Sequence, residues 1–207
     1  LRWSDGDGGA VYCHRCSPTI AHNTFTTNFA ECRGGAIFCD TADVTISENL
    51  FIADSAGLYG GGIGCELSHA LISENTFTQN WAWAFGGAID DHASFPTITG
   101  NTFTANSTPF GAGAVSCWGY YDPSGPCISN NLFTGNSSFS SGALDCDGTK
   151  ATVTGNVFVA NWASQGGAMG FGNGARPILS RCVFVSNLAQ GCGYGGAIYA
   201  NSGTGTI

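Results

Sequence analysis

Phenylalanine returns at Phe25, Phe51, Phe77, Phe103, Phe133, Phe158 and Phe184, at intervals of 26, 26, 26, 30, 25 and 26 residues. A period of that length confines the chain to architectures in which copies of one short unit lie on each other. Other residues keep the same beat. Asn23, Asn49, Asn75, Asn101, Asn131 and Asn156 stand two positions ahead of their phenylalanines, and Cys182 breaks the row at the last. Asn28, Asp54, Asn80, Asn106, Asn136, Asn161 and Asn187 stand three positions after. An aliphatic column ahead of each phenylalanine collects Ile20, Ile46, Ile72, Ile98, Ile128, Val153 and Ile178. A second marker, Gly-Gly-Ala followed by an aliphatic residue, is cleanest around Ala10, Ala36, Ala88, Ala168 and Ala197.

Each unit thus holds three short stretches with period-2 character, and the Gly and Asn punctuation between them would break a helix. The expected fold is all-β: a right-handed parallel β-helix of about eight rungs of roughly 26 residues, three strands per rung. Residues 1–207 read as a single such domain, a section of a longer extracellular chain. Eight rungs at the spacing of paired strands give a rod of roughly 38 Å. Stacked copies of Phe and Ile make a continuous core, each buried side chain contributing roughly 1.5–3 kcal/mol. Stacked Asn can pass amide hydrogen bonds from rung to rung. Glycine ahead of Ala supplies the backbone angles of a sharp corner.

Composition removes several classes. Glycine, 32 of 207 residues, falls far short of the one-third of a collagen helix, and polar residues or glycine interrupt every apolar run before bilayer length. A net charge of −8 with Lys150 as the only lysine offers no basic surface, so no nucleic acid is expected as partner. Ten cysteines point to an oxidising, extracellular setting.

The paired Gly-Gly-Ala-aliphatic and Phe-x-x-Asn repeats resemble those of the polymorphic outer-membrane proteins of Chlamydia-type bacteria, over nearly the whole chain. That family consists of surface autotransporters with β-helical adhesin passengers. The resemblance therefore implies display on a cell surface and binding to a host or neighbouring-cell protein or glycan.

Beside the core, Cys13, Cys39, Cys65, Cys117 and Cys146 share a column three positions after the marker alanine, with Asp91, Phe171 and Ala200 in the remaining rungs. Their parity with the aliphatic position points them inward as a thiol stack. Cys16, Cys32, Cys127, Cys182 and Cys192 fall off it and are expected to staple loops. The Cys13-His14-Arg15-Cys16 and Asp5-Gly6-Asp7-Gly8 segments lack the further ligands that zinc or calcium would need, and no cofactor is expected. The sequons at Asn106 and Asn136 lie in an Asn column and read as structural.

Outward positions on the same strands gather Asp40, Glu66, Asp90, His92, Asp145 and Asp147, with His14 and Trp118 in their rows. Two readings stand open. Stacked carboxylates raise one another's pKa, which suits general acid–base work on glycans with Asp90, His92 and Glu66 as candidates; a solvated acidic stripe has the same pattern. Trp118, Tyr120 and Tyr121, on a lengthened loop, are the expected binding residues, since aromatics there interrupt a surface of small side chains. Thr24-Phe25-Thr26, Thr76-Phe77-Thr78 and Thr102-Phe103-Thr104 make hydroxyl rows of the sort an ice-binding face would use, though Leu50, Ile52 and later valines interrupt them. The expectation is a non-catalytic structural or adhesive module, with a glycoside hydrolase, an ice-binding protein and a filament of copies stacked end to end as alternatives.

Overall fold

The computed structural model describes residues 6–119, 125–190, 195–202 and 204–206. The chain winds through seven complete turns and begins an eighth. The first sheet has eight parallel strands, from Val11–His14 through Ile37–Asp40, Ile63–Glu66, Ile89–His92, Val115–Trp118, Leu144–Asp147 and Met169–Gly172 to Ile198–Ala200. The second and third sheets have seven strands each, built on the aliphatic and phenylalanine columns. Besides the three expected strands, several rungs carry a fourth of two residues, such as Ser55–Ala56 and Trp81–Ala82, which buries an alanine beside the corner. Among the described residues no helix forms, and so none that could cross a membrane.

Register is in step throughout: Phe51 pairs with Phe25 and Phe77, and Ile72 with Ile46 and Ile98. Like therefore lies on like. Consecutive rings of the phenylalanine column have centroids 4.6–5.0 Å apart and planes within 12° of parallel, from Phe25 to Phe184. That offset stacking adds to the burial of the column.

The aliphatic column needs one correction. Val153 pairs with Leu179, which is buried, while Ile178 pairs with Thr152 and is 53% exposed. Side chains alternate between faces along a strand, so a slip of one residue moves the choice from the core to solvent.

Both Asn columns are hydrogen-bonded ladders. The Asn75 Nδ2 donates to Asn101 Oδ1 at 3.1 Å and to the Ile46 carbonyl at 2.9 Å, and its Oδ1 accepts the Asn49 backbone N–H at 2.9 Å. Asn80, Asn106, Asn136 and Asn161 repeat this in the second column. Asn106 and Asn136 are fully buried in it, which leaves no room for a glycan on either in the folded rod. At the end of the first column Cys182 stands in for the amide, its thiol directed at the carbonyls of Ser180 (3.4 Å) and Val153 (3.8 Å). The residue just before each Asn takes the left-handed conformation, as at Glu48, Glu74 and Asn130, so each ladder bonds the backbone of a tight corner.

The Gly-Gly marker divides its labour differently from expectation. Gly34, the first, has φ +63°; Gly35, directly before Ala36, has an ordinary φ, but a Cβ there would lie 2.0 Å from the Gly61 carbonyl oxygen. The first glycine gives the angle and the second gives the room.

The cysteine column faces inward, with Cys13, Cys39, Cys65, Cys117 and Cys146 all buried. Hydrogen bonding from Cys39, outweighing burial, brings the Cys13 thiol down to about 7, with Cys16 adding in the same sense. The expected loop staples at Cys16, Cys32, Cys127 and Cys182 are free thiols in the structure. In-register stacking explains Cys127, whose neighbours are Thr97 and Thr152. Cys192 lies outside the described residues.

Candidate functional site

The first sheet presents two outward positions per strand, and these form the floor of a groove. The second position carries Phe38, Gly64, Asp90, Ser116, Asp145 and Gly170; the fourth carries Asp40, Glu66, His92, Trp118, Asp147 and Gly172. Half of a β-strand normally faces water, yet Asp90 is 2% exposed and Phe38 is 1% exposed. A wall covers them. Arg33, Tyr59 and Phe85, each one residue ahead of a Gly-Gly corner, pair backbone to backbone in a row and lay their side chains over the sheet. The solvated-stripe reading is therefore replaced, at Asp90, by a carboxyl in a walled groove.

Trp118 lies at the centre. Its ring stacks on His92 with centroids 3.8 Å apart, and the Phe85 and Tyr59 rings tilt against it at 5.8 and 6.1 Å. Its Nε1 donates to Asp90 Oδ1 at 3.1 Å. On one side of Trp118 the groove encloses about 450 Å³ between Arg33, Tyr59, Glu66, Asp90 and His92. On the other it continues as cavities of about 200 and 150 Å³ that share Asp145, Asp147 and Asn173. From Phe38 to Tyr199 the three span six strand steps, about 29 Å of continuous concave surface.

The electrostatics differ between the halves. Arg33 is ion-paired with Glu66 and with Asp7, the latter at 3.0 Å, and lies over the Phe38 ring at 4.3 Å. Burial pushes the Asp90 carboxyl up to about 8, against the Trp118 hydrogen bond and the Arg33 charge. Burial also lowers the His92 pKa. In the other half burial, then the neighbouring Asp147, pushes Asp145 up to about 8, and burial raises Asp147 although Asn173 Nδ2 donates to it at 2.8 Å.

The structure thus brings Glu66, Asp90, His92 and Trp118 together. Tyr120 and Tyr121 lie outside the described residues. Asp91, adjacent to Asp90, points the other way into the thiol column, so the two do not act as a pair. Arg33, Tyr59 and Phe85 are groove-lining positions that sequence reasoning missed. Their signal was present, since they recur at 26-residue intervals ahead of Gly-Gly, but they belong to no core column. The threonine rows face outward on the third sheet, where Leu50 and Leu132 interrupt them as exposed apolar side chains.

A parallel solenoid whose first sheet floors a long groove defines the class. The chain matches the family described as "Right handed beta helix region" over residues 9–207, and it belongs to that family. Among curated proteins and solved structures it has no match.

Proposed function

We propose that this chain is an extracellular, non-catalytic β-helix module that adheres to a glycan chain on a cell surface through the groove on its first sheet. The observation that carries the reading is the continuous groove with Tyr59, Phe85 and Trp118 along it. Sugars stack on aromatic faces and hydrogen-bond to carboxylates, and an extended polymer suits a trough better than a closed pocket does. The similarity of the repeats to those of surface adhesins supports the same reading. So does the engagement of the would-be catalytic groups: Glu66 is tied to Arg33, Asp90 to Trp118, and His92 is stacked. In binding assays against immobilised glycans, Ala at Trp118, Tyr120 and Tyr121 together should preserve the circular dichroism spectrum and weaken binding at least tenfold. Unchanged binding would move the site elsewhere.

One observation favours hydrolysis as a second reading. Asp90 keeps a proton at neutral pH beside Glu66, and a protonated acid near a second carboxylate is what glycosidic cleavage requires. Turnover on a glycan panel that vanishes in Asp90→Asn would establish it, and no turnover on that panel would retire it.

A further inference from the structure

The groove is asymmetric in charge in a way that specifies its ligand. In the half nearer the start of the chain, the Arg33 guanidinium answers Glu66 and Asp7. Beyond Trp118, Asp145 and Asp147 occupy alternate positions of one strand and so project from the same face. Among the described residues neither has a cationic partner within ion-pair distance.

Their surroundings form a cradle. The next strand, Met169–Gly172, places Gly170 and Gly172 alongside them, and a Cβ at either glycine would come within 3.1 Å of a carboxylate oxygen of Asp145 or Asp147. At Gly172 the missing Cβ leaves Asp147 Oδ1 facing the groove, while at Gly170 the room is taken by Ser141 Oγ, which hydrogen-bonds Asp145. Ser116 and Trp118 stand on the other side, and Asn173 holds Asp147 from its second oxygen. A planar apolar platform beside two carboxyl groups with no cationic partner fits a ring with one apolar face and a positive charge at its edge.

We infer that the half of the groove formed by Trp118, Asp145, Asp147 and Asn173 selects amine-bearing sugars, so that the glycan is a chain of glucosamine-type units carrying free ammonium groups. This rests on the proposed glycan-binding role of the groove and adds the ligand's chemical class. An ammonium group seated there replaces the missing counter-charge, so it also favours ionisation of Asp145. The other titratable groups that line these cavities with Asp145, among the described residues, are Asp147, Cys117 and Tyr199, and Ser116, Ser141 and Gly170 lie beside them.

The test is titration calorimetry of the intact chain at pH 7 with three probes: a glucosamine hexamer, its fully N-acetylated counterpart and an oligolysine of equal charge. The glucosamine hexamer should bind at least tenfold more tightly than the acetylated one. Its affinity should fall as salt is raised, and its binding enthalpy should vary with buffer as a proton leaves Asp145. Asp147→Asn should remove most of the preference for the glucosamine hexamer over the acetylated one. Equal affinity for the two hexamers would overturn the charge selectivity and leave the glycan-binding role standing. Oligolysine binding as tightly as glucosamine would overturn the sugar specificity. Failure of both hexamers to bind would overturn the glycan-binding role itself.

Discussion

Asp54 should be a defect that one atom's exchange repairs. It occupies the second amide column, where the other six rungs carry Asn. Its Oδ1 accepts from the Asn28 backbone N–H at 2.8 Å and from Asn28 Nδ2 at 2.7 Å, as a ladder amide would. Its Oδ2 is buried with no partner. In the next rungs the Nδ2 at that place donates twice, for example from Asn80 to Asn106 Oδ1 at 2.9 Å and to the Phe51 carbonyl at 3.1 Å. By the same register, Asn at position 54 would donate to Asn80 Oδ1 and to the Phe25 carbonyl. Each such bond is worth about 0.5–1.5 kcal/mol net, and relief of an unsatisfied buried acceptor about 1–3 kcal/mol. Because the two overlap, Asp54→Asn should stabilise by about 1–3 kcal/mol, or about 2–12 °C in Tm for a domain of this size.

The pH dependence separates this from a generic gain. Burial raises the Asp54 pKa, so at low pH the carboxyl keeps its proton and can supply one of the missing donors. The advantage of Asn should therefore be larger at pH 8 than at pH 4. Urea unfolding of both proteins at the two pH values measures it directly. A variant that is no more stable, or whose advantage grows on acidification, would refute the ladder argument.

Burial raises Asp90 and Asp145 to about 8 and raises Asp91 as well, while the unfolded chain releases these protons near 3.8. The folded state then holds more protons in that window, so stability should fall as pH rises from 4 to 8; urea midpoints that rise instead would contradict it. Asp91→Cys fills the gap between Cys65 and Cys117 in the thiol column and removes a buried carboxyl whose Oδ1 is unpartnered, so it should stabilise by about 1–3 kcal/mol at pH 8; a loss would show that Asp91 has an undetected role. Phe77→Ala should cost about 3–5 kcal/mol, whereas Thr78→Ala, outward on the same strand, should stay within about 0.5 kcal/mol. Similar costs for the two would deny the alternation.

What the sequence disclosed and what it hid follow one physical line. In a parallel stack each residue's neighbours are its own copies, so Phe51, Asn75 and Cys39 announce their surroundings by recurring. The slip at Ile178 came from two adjacent aliphatic residues, Ile178 and Leu179, which composition cannot tell apart and register can. The groove was half legible. Its floor, Glu66, Asp90 and His92, lies on strands whose alternation was readable, but its depth depends on Arg33, Tyr59 and Phe85 folding back over the sheet. Their direction is fixed by the corners at Gly34, Gly60 and Gly86, each with φ above +60°, and a pattern of side chains along a strand does not carry that angle. Cysteine count likewise signalled oxidation, while the register placed Cys127 and Cys182 beside threonine and in the Asn ladder.

Ring-to-ring nuclear Overhauser contacts within the phenylalanine column test the stacking most directly. Selectively labelled protein should show cross-peaks between Phe51 and Phe77 and between Phe77 and Phe103, whose centroids lie 4.6 and 4.9 Å apart, and none between Phe51 and Phe103. Absent cross-peaks between consecutive rings, or strong ones between rings two turns apart, would mean that the copies do not lie on one another.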